Sequence, residues 1–261
     1  MTDKTISLEK AILLVRDQQT VGLGGMTLYR RPVGFVRALL QKRPRPQNLT
    51  LLAFTAGIES DMLVGTGVVT RTRTCYFGLE LFGLAPMFTA AATAGSVTIC
   101  EESEFSLSAG IRATLGGVSF TPGRAWLGTD MLSVRPDVKT ITDPYTGETL
   151  VAFPSITCDV AVIHVLQADH LGNAVLGGNP TIDLELSLIA KTVILTAEEV
   201  VDRLPAPIDL PALPTTHVVH LPNGAWPTSC YPRYPLDGEE ILRYIAACNA
   251  GELEAYLLGN S

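Results

Sequence analysis

The sequence predicts an α/β fold with a mainly parallel central sheet flanked by helices. Short apolar segments with strand character alternate with segments of helical periodicity, a pattern typical of parallel sheets covered on both sides. Residues 159–166 (DVAVIHVL) are almost continuously apolar, as is typical of a strand buried on both faces. The 261 residues suffice for one large domain with a substantial core.

The first half of the chain is predicted to begin with a helix capped by Ser7. A strand follows at residues 20–23 and ends in Gly24 and Gly25. Pro32 then stands near the start of a second helix, where its ring suits the first turn. Further elements are predicted in chain order: strands at 49–54, 68–77 and 97–100, and a helix at 105–115.

The second half is predicted to contain a hairpin whose two strands, 139–142 and 149–153, flank a turn at 143–147. After the strand at 159–166 come a helix at 183–190 and a strand at 192–195. The many prolines between residues 205 and 235, with two short β-like pieces among them, predict extended surface structure. One or two helices close the chain at 239–258. We therefore expect a single domain over residues 1–261, with a less regular C-terminal extension from about 205.

Charge and composition favour a protein with a partner and argue against nucleic acid binding. Charged residues make up 17% of the chain, below the roughly one quarter of an average domain. This shortage of polar surface favours a buried contact with another protein. The alternative is that a large core alone accounts for it. The formal net charge of −7 disfavours nucleic acid, because such binding depends on clustered Lys and Arg that neutralise phosphates.

The lack of long apolar segments and the scattered cysteines predict a cytoplasmic protein without a membrane contact. The chain opens on polar residues without a secretory apolar segment, and no apolar run approaches the ~20 residues of a membrane span. Its five cysteines are scattered and odd in number, which is typical of reduced residues in a cytosolic protein.

A glycine-containing loop after the first predicted strand is the strongest local signal for a binding site. Glycine lets backbone approach a ligand closely, so Gly24, Gly25 and Met26 are candidate substrate contacts. Arg30 and Arg31 would suit a carboxylate or phosphate. The alternative is a tight connection between strand and helix, since the loop lacks the P-loop Lys-Ser/Thr and the full dinucleotide fingerprint.

A second candidate site is the acidic passage between the strand at 97–100 and the following helix. Glu101, Glu102 and Glu104 lie where open α/β sheets bind ligands, at the carboxyl end of a strand. A glutamate held near apolar groups or other acids there could act as a general base. The alternative is structural, because acids at a helix N-terminus also stabilise the helix.

The histidines do not predict a metal site. Asp169 and His170 are adjacent, and adjacent side chains seldom point at one another, so a catalytic pair is disfavoured. His164 lies inside a predicted strand and is interpreted as a hydrogen-bonded core histidine. His217 and His220 have no companions at a useful ligand spacing. We therefore predict no metal.

Three passages together resemble the A subunits of type I CoA-transferases. The loop 22–26 (GLGGM) followed by Pro32 is similar to their GGF-type loop. Residues 101–122, with SLSAGIRAT and FTP, resemble their strand–helix–strand passage. Residues 168–174 (ADHLGNA), leading to 198–202 (EEVVD), match their AD..GNA…EE(I/V) pattern. These motifs occur in the right order across about residues 5–205, and the glutaconate CoA-transferase branch is the most similar.

The resemblance implies a CoA-transferase (NagB/RpiA-like) fold and a homologous B-type partner, in an αβ or (αβ)2 assembly with chemistry between the two chains. In such transferases a glutamate of the B-type partner attacks the acyl-CoA carbonyl. An anhydride and then a glutamyl-CoA thioester form, and a second carboxylic acid collects the CoA. No cofactor is implied beyond the CoA thioester substrate, and the glycine loop of the A-type chain would help to hold the acyl oxygen.

The sequence of Arg30, Arg31 and Pro32 departs from the usual small-residue ending of that loop. It resembles a divergent branch that opens a cyclic acyl-CoA by hydrolysis during steroid-ring degradation. The base in that branch is a glutamate from an E-x-x-E passage of the A-type chain. Glu101 and Glu104 match the passage, and Glu104 is the predicted catalytic residue. Phe105 stands where glycine is expected.

Three functions follow from these observations. The first is the A subunit of a CoA-transferase that acts on a carboxylic or dicarboxylic acid. The second is the A subunit of an acyl-CoA ring-opening hydrolase, and the third is a non-catalytic scaffold for a B-type subunit.

Overall fold

A computed structural model describes residues 2–259. Within these residues the strands are β1 (Thr20–Leu23), β2 (Leu49–Leu52), β3 (Thr55–Ala56), β4 (Val69–Thr74), β5 (Tyr76–Phe77), β6 (Thr98–Glu101), β7 (Phe120–Gly123), β8 (Lys139–Thr142), β9 (Thr149–Pro154), β10 (Cys158–Val165), β11 (Gln167–Asp169), β12 (Ala174–Val175), β13 (Ala190–Ala197), β14 (Val200–Val201) and β15 (His217–His220). The helices are α1 (Leu8–Ile12), α2 (Val33–Gln41), α3 (Ile58–Gly65), α4 (Pro86–Ala94), α5 (Glu104–Leu115), α6 (Met131–Val134), α7 (Asp183–Ile189), α8 (Gly238–Asn249) and α9 (Leu253–Gly259), with a 3-10 turn at Glu80–Phe82.

Seven strands form the central sheet in the order β15-β13-β10-β1-β2-β4-β6, and every neighbouring pair is parallel. The predicted α/β class with a mainly parallel sheet is therefore confirmed. Strand β10 lies inside the sheet with seven of its eight residues buried, which explains its continuous apolar sequence.

Helices cover both faces of the sheet. One face packs against α1, α2, α3, α8 and α9, around buried residues such as Val21, Leu51 and Val162. The other face packs against α5 and α7, around Leu52, Ile163 and Leu195. These residues alternate along their strands, as the two-residue period of a strand requires. No helix in residues 2–259 is long and apolar enough to cross a bilayer.

The predicted hairpin is present as the antiparallel pair β8–β9, which β7 extends to three strands. Two predicted strands are shorter than expected. Within the segment 49–54, β2 ends at Leu52, and β3 begins only after the segment, at Thr55. The segment 68–77 divides into β4 and β5. The reason is that β3 and β5 leave the central sheet and pair with each other instead.

The prediction of surface structure for residues 205–235 was wrong at β15. This strand pairs with β13 at the edge of the central sheet, and its Val218 and Val219 are buried. The prolines on either side concealed a four-residue strand flanked by histidines. Farther on, Ile241 and Tyr244 of α8 and Leu257 of α9 belong to the main core cluster, so the last part of the chain is packed into the fold.

A buried carboxylate joins three helices of one layer. Asp61 of α3 accepts hydrogen bonds from the backbone amides of Met87 and Phe88, 3.2 and 2.6 Å away, at the start of α4. The Tyr244 hydroxyl of α8 donates to the same carboxylate at 2.7 Å. Burial nevertheless raises the pKa of Asp61 to about 6, because these contacts only partly replace lost hydration.

Since the pKa of Asp61 is higher in the folded than in the unfolded chain, its contribution to stability is present below about pH 4 and is lost as pH rises through 6. We expect the free energy of unfolding of the wild type, relative to Asp61→Asn, to fall by about 1–3 kcal/mol between pH 4 and 7.5. Urea denaturation of both proteins at a series of pH values measures this difference. A difference that does not vary with pH would contradict the prediction.

Candidate active site

The strand order places the glycine loop at the point where the chain reverses direction across the sheet. From β1 the chain proceeds outward to β2, β4 and β6, whereas from β10 it proceeds the opposite way to β13 and β15. Neighbours β1 and β10 therefore form the topological switch point, outside whose carboxyl ends open α/β sheets bind ligands. The loop that begins at Gly24 directly follows β1.

The loop folds back on itself in a narrow turn. Met26 and Tyr29 exchange two backbone hydrogen bonds, of 2.9 and 2.6 Å. Gly25 has a φ of +80°, and a Cβ atom on it would lie 2.5 Å from the carbonyl oxygen of Arg30. Glycine is therefore required at position 25 both by its dihedral angle and by the close approach of the returning chain.

Hydrogen bonds within the chain occupy the four amides from Gly24 to Thr27. The Gly24 amide donates to the Val162 carbonyl at 2.9 Å, and the Gly25 amide to Asp183 Oδ1 at 2.9 Å. The Met26 amide takes part in the turn, and the Thr27 amide donates to Thr55 Oγ1 at 3.0 Å. In this structure, an acyl oxygen would find none of these four amides open.

Arg30 is fully buried beneath the loop. Its Nη1 donates to Asp183 Oδ2 at 3.0 Å and to the His164 carbonyl at 2.9 Å. Its Nη2 donates to the Asn179 carbonyl at 2.5 Å. Asp183 thus holds both the Arg30 guanidinium and the Gly25 amide, which fixes the loop against β10 and the start of α7.

Arg31 is equally buried, on the other side of the loop. Its Nε and Nη2 donate to Glu59 Oε1 at 2.9 and 2.5 Å. Its Nη1 donates to the carbonyls of Gly25 and Thr55, both at 2.9 Å. Apart from Arg30 Nε, which is buried without a hydrogen-bond partner, the side-chain nitrogens of both predicted anion-binding arginines donate to groups of this chain. A direct contact with substrate stays a prediction.

The acidic passage divides into one buried and two exposed carboxylates. Glu102 is buried and receives Arg73 Nε at 2.8 Å and Arg135 Nη1 at 3.0 Å. Glu101 and Glu104 are exposed. The helix α5 begins after Ser103, whose hydroxyl and backbone amide exchange hydrogen bonds with Ser106 in a capping box, so the exposed acids also stand where they favour a helix N-terminus.

The predicted residues fall into two groups along the carboxyl edge of the sheet. The first group, Gly24, Gly25, Met26 and both arginines, follows β1. In the second group, Glu101 ends β6, three strands away, and Glu104 lies just after it. At a spacing of ~4.8 Å between strands, the groups are roughly 14 Å apart. Between them lies Cys75, whose thiol donates to the Phe54 carbonyl at 2.8 Å. Burial and then the nearby Glu104 raise the pKa of Cys75 to about 11, so it is a thiol at neutral pH.

Sequence reasoning missed the acids that hold the loop. Asp183 is 153 residues from Arg30, and Glu59 is 28 residues from Arg31. Neither spacing belongs to a motif. The signal that could have found them is general: two arginines in an otherwise apolar loop need two acids, because a buried charge requires a partner.

The structure confirms the interpretation of His164 as a hydrogen-bonded core residue. Its Nε2 lies 2.7 Å from Glu198 Oε1, and its Nδ1 lies 2.9 Å from Thr196 Oγ1. Together, His164, Glu198 and Cys230 place N, O and S donors within 4.8 Å of one another. Burial raises the pKa of Cys230 to about 12, which disfavours the thiolate that a metal needs. The hydrogen-bonded arrangement accounts for the cluster, and the absence of a metal stays a prediction.

Comparison with protein families gives one match, to a model described as Coenzyme A transferase, over residues 5–220. An uncharacterized protein of Archaeoglobus fulgidus is 32% identical over 272 residues, which cover 99% of this chain and 60% of that protein. The A-type chain of the 3-oxoadipate CoA-transferase of Pseudomonas knackmussii is 33% identical, with 89% of this chain and 84% of that protein covered. The cholesterol ring-cleaving hydrolase IpdA subunit of Rhodococcus jostii is 32% identical, with 94% and 86% covered.

Solved structures agree with this assignment. The decarboxylase AibA/AibB superposes with a TM-score of 0.91 at 29% identity, covering 98% of each chain. Glutaconate CoA-transferase of Acidaminococcus fermentans superposes with a TM-score of 0.89 at 28% identity, covering 97% of this chain and 87% of that chain. The predicted CoA-transferase fold is therefore confirmed. The chain belongs to the type I CoA-transferase family and is similar to its A subunits.

Proposed function

We propose that this chain is the A subunit of a heteromeric CoA-transferase that moves CoA between an acyl-CoA and a carboxylic acid. A homologous B-type subunit completes the site and supplies the nucleophilic glutamate. The similarity to A subunits named for 3-oxoadipate and glutaconate CoA transfer supports this proposal. So does the position of the glycine loop at the switch point of the sheet.

The observation that carries the proposal is the pairing of the buried acids around the site. Among the described residues there, Asp183 pairs with Arg30, Glu59 with Arg31, and Glu102 with both Arg73 and Arg135. A carboxylate whose charge is neutralised by a buried guanidinium is a poor nucleophile. This includes Glu59, although its Oε2 accepts no hydrogen bond. Glu101 and Glu104 are exposed to solvent. Among the residues that the structure describes around the site, this chain thus offers no enclosed carboxylate that is free of an arginine.

In the proposed reaction, the partner's glutamate attacks the thioester carbonyl, which expels CoA as a thiolate and forms an acyl–glutamyl anhydride. The CoA thiolate then attacks the glutamyl carbonyl and releases the donor carboxylate. The acceptor carboxylate reverses both steps. The role of this chain is to orient the acyl group against the rigid loop 24–29, which Asp183, Arg30 and Arg31 hold in place.

The second candidate is an acyl-CoA ring-opening hydrolase in which Glu104 acts as the base. Two observations favour it: the two exposed glutamates at the carboxyl end of β6, and the 32% identity to the ring-cleaving hydrolase IpdA of Rhodococcus jostii. A partner that covers Glu104 would remove it from water and raise its basicity. Cytoplasmic localisation belongs to both proposals.

Glu104→Gln separates the two candidates. A general base contributes about 10²–10⁴ to the rate, so the hydrolase requires a loss of that size. The transferase proposal predicts that kcat/KM stays within about tenfold of wild type, because the nucleophile lies in the partner. Steady-state kinetics of the co-expressed complex measures this, with Glu101→Gln as the matched control and size exclusion to verify assembly.

The experiment that tests the proposal follows CoA by mass spectrometry in the complex with its B-type partner. A panel of acyl-CoAs is incubated with and without acetate or a dicarboxylate, in water enriched in ¹⁸O. The proposal predicts a new acyl-CoA only when an acceptor is present. Acceptor-independent uptake of ¹⁸O into the acyl product would support the hydrolase, and loss of carbon dioxide without an acceptor would contradict both candidates.

A further inference from the structure

An open polar pocket lies on the face of the central sheet that α5 covers in part. Its volume is about 320 Å³, and its lining residues are Thr20, Thr50, Arg71, Arg73, Cys100 and Asp137. Buried α/β sheets normally present apolar side chains to the helices on their faces. A polar cavity lined by residues of four parallel strands is therefore unusual, and a bound polar ligand would explain it.

Strand register explains how these side chains meet. Thr20, Thr50 and Arg71 are register partners on β1, β2 and β4, so they form one row across the sheet near the amino ends of the strands. Arg73 and Cys100 form the next row on the same face, two residues farther along. Toward the carboxyl ends, Leu107 and Ile111 of α5 cover this face, so the pocket occupies the part that α5 leaves open.

The carboxylates near the pocket are already paired. Asp137 receives Arg135 on both oxygens, at 2.8 Å each. Asp159, the neighbour of Thr20 on β10, receives Lys191 Nζ at 2.8 Å and the Thr20 amide at 2.9 Å. Glu102 is shared between Arg73 and Arg135. Among the arginines near the pocket, these pairs leave one guanidinium without a carboxylate partner.

That guanidinium belongs to Arg71, which forms no hydrogen bond or ion pair with any described residue and is exposed in the pocket. Arg73 engages Glu102 through Nε alone, so its Nη groups are also open. The hydroxyls of Thr20 and Thr50 make no hydrogen bond within residues 2–259. The pocket thus offers two forked guanidinium donors and two hydroxyls, with an uncompensated positive charge.

We propose that this pocket binds the phosphate group of a small molecule. A carboxylate presents two oxygens, which one guanidinium satisfies in bidentate fashion, whereas a phosphate presents three or more and suits donors spread over three strands. The volume exceeds that of a phosphate ion and accommodates an ester substituent. This inference does not depend on the proposed transferase activity, because the residues that line the pocket include none of the glycine loop and neither Glu101 nor Glu104.

The test uses isothermal titration calorimetry on the complex with the B-type partner, in a phosphate-free buffer at constant ionic strength. The probes are inorganic phosphate, AMP and, as the phosphate-free control, adenosine. We expect phosphate or AMP to bind and adenosine not to bind. Binding of inorganic phosphate alone identifies a free anion as the ligand, and tighter binding of AMP identifies a phosphate ester.

Two charge-matched variants locate the binding. Arg71→Ala should weaken binding at least about tenfold, since it removes the charge-assisted hydrogen bonds. Arg112→Ala, which removes an exposed arginine of α5 outside the pocket, should leave the affinity within about twofold. Equal affinities in the two variants would overturn the proposal. So would an absence of binding in the complex, including the case in which the isolated chain binds phosphate and the partner abolishes it.

Discussion

Replacing Arg31 with methionine is expected to cost about 3–5 kcal/mol of the free energy of unfolding, because it leaves the Glu59 carboxylate buried without its partner. Both side chains are completely buried, so water cannot take the place of the guanidinium. The change also removes the donor shared by the carbonyls of Gly25 and Thr55. Since whole domains have only about 5–15 kcal/mol of stability, the loss should be large in urea denaturation.

The matched control is Arg43→Met. Arg43 pairs with Glu254 on the surface, with about half of each side chain exposed, and such pairs contribute about 0–1 kcal/mol. If Arg31→Met does not accumulate in folded form, the double variant Arg31→Met with Glu59→Leu should restore part of the loss, since it removes both buried charges. A stability of the single variant Arg31→Met within about 1 kcal/mol of wild type would contradict the assigned role of the pair.

Gly25→Ala is expected to lower kcat/KM of the complex by about 10²-fold, because displacement of the loop on the order of 1 Å misplaces the acyl group. The new Cβ would lie 2.5 Å from the Arg30 carbonyl oxygen, so the returning chain at Tyr29 and Arg30 must move. That backbone is fixed by the buried Arg30–Asp183 pair and cannot yield without breaking it. Steady-state kinetics of the purified complex measures the effect.

Gly67→Ala is the control for the dihedral cost alone. Gly67 has a φ of +73°, similar to Gly25, but a Cβ there would meet nothing within 4 Å. It lies before β4, at the opposite end of the sheet from the loop. We expect Gly67→Ala to lose about 1 kcal/mol of stability and no activity. Similar kinetics in both variants would show that the shape of the Gly25 turn does not matter for turnover.

The fold was predictable from the sequence where a segment is buried along almost its whole length. Strand β1 was predicted with its observed limits, and β10 was displaced by one residue, because burial on both faces leaves an unmistakable apolar run. Strand β15 lies in a stretch where short β-like pieces were predicted, but on the surface. Its place in the central sheet was not predicted, because its apolar part is only Val218 and Val219, between histidines and nearby prolines. Helices α3 and α4 were also not predicted. In α3, Ser60 and Asp61 are polar but buried by tertiary contacts, so the helix lacks the usual pattern of apolar buried and polar exposed positions.

The candidate site was predictable as a set of residues but not as a geometry. The glycine requirement at position 25 follows from the loop sequence, whereas the role of Arg30 and Arg31 depends on acids that folding brings from distant positions. A sequence shows two arginines beside a glycine loop and suggests an anion outside the protein. The structure supplies Asp183 and Glu59 as the anions inside it.

The central claim is that this chain shapes a site whose nucleophilic glutamate belongs to a B-type partner. Intact-mass spectrometry of both chains, after the complex is incubated with acyl-CoA and no acceptor, tests it most directly. We predict a covalent CoA adduct on a glutamate of the partner, and an unmodified mass for this chain. A CoA adduct on this chain, or steady transfer to an added acceptor without any adduct on the partner, would contradict the account.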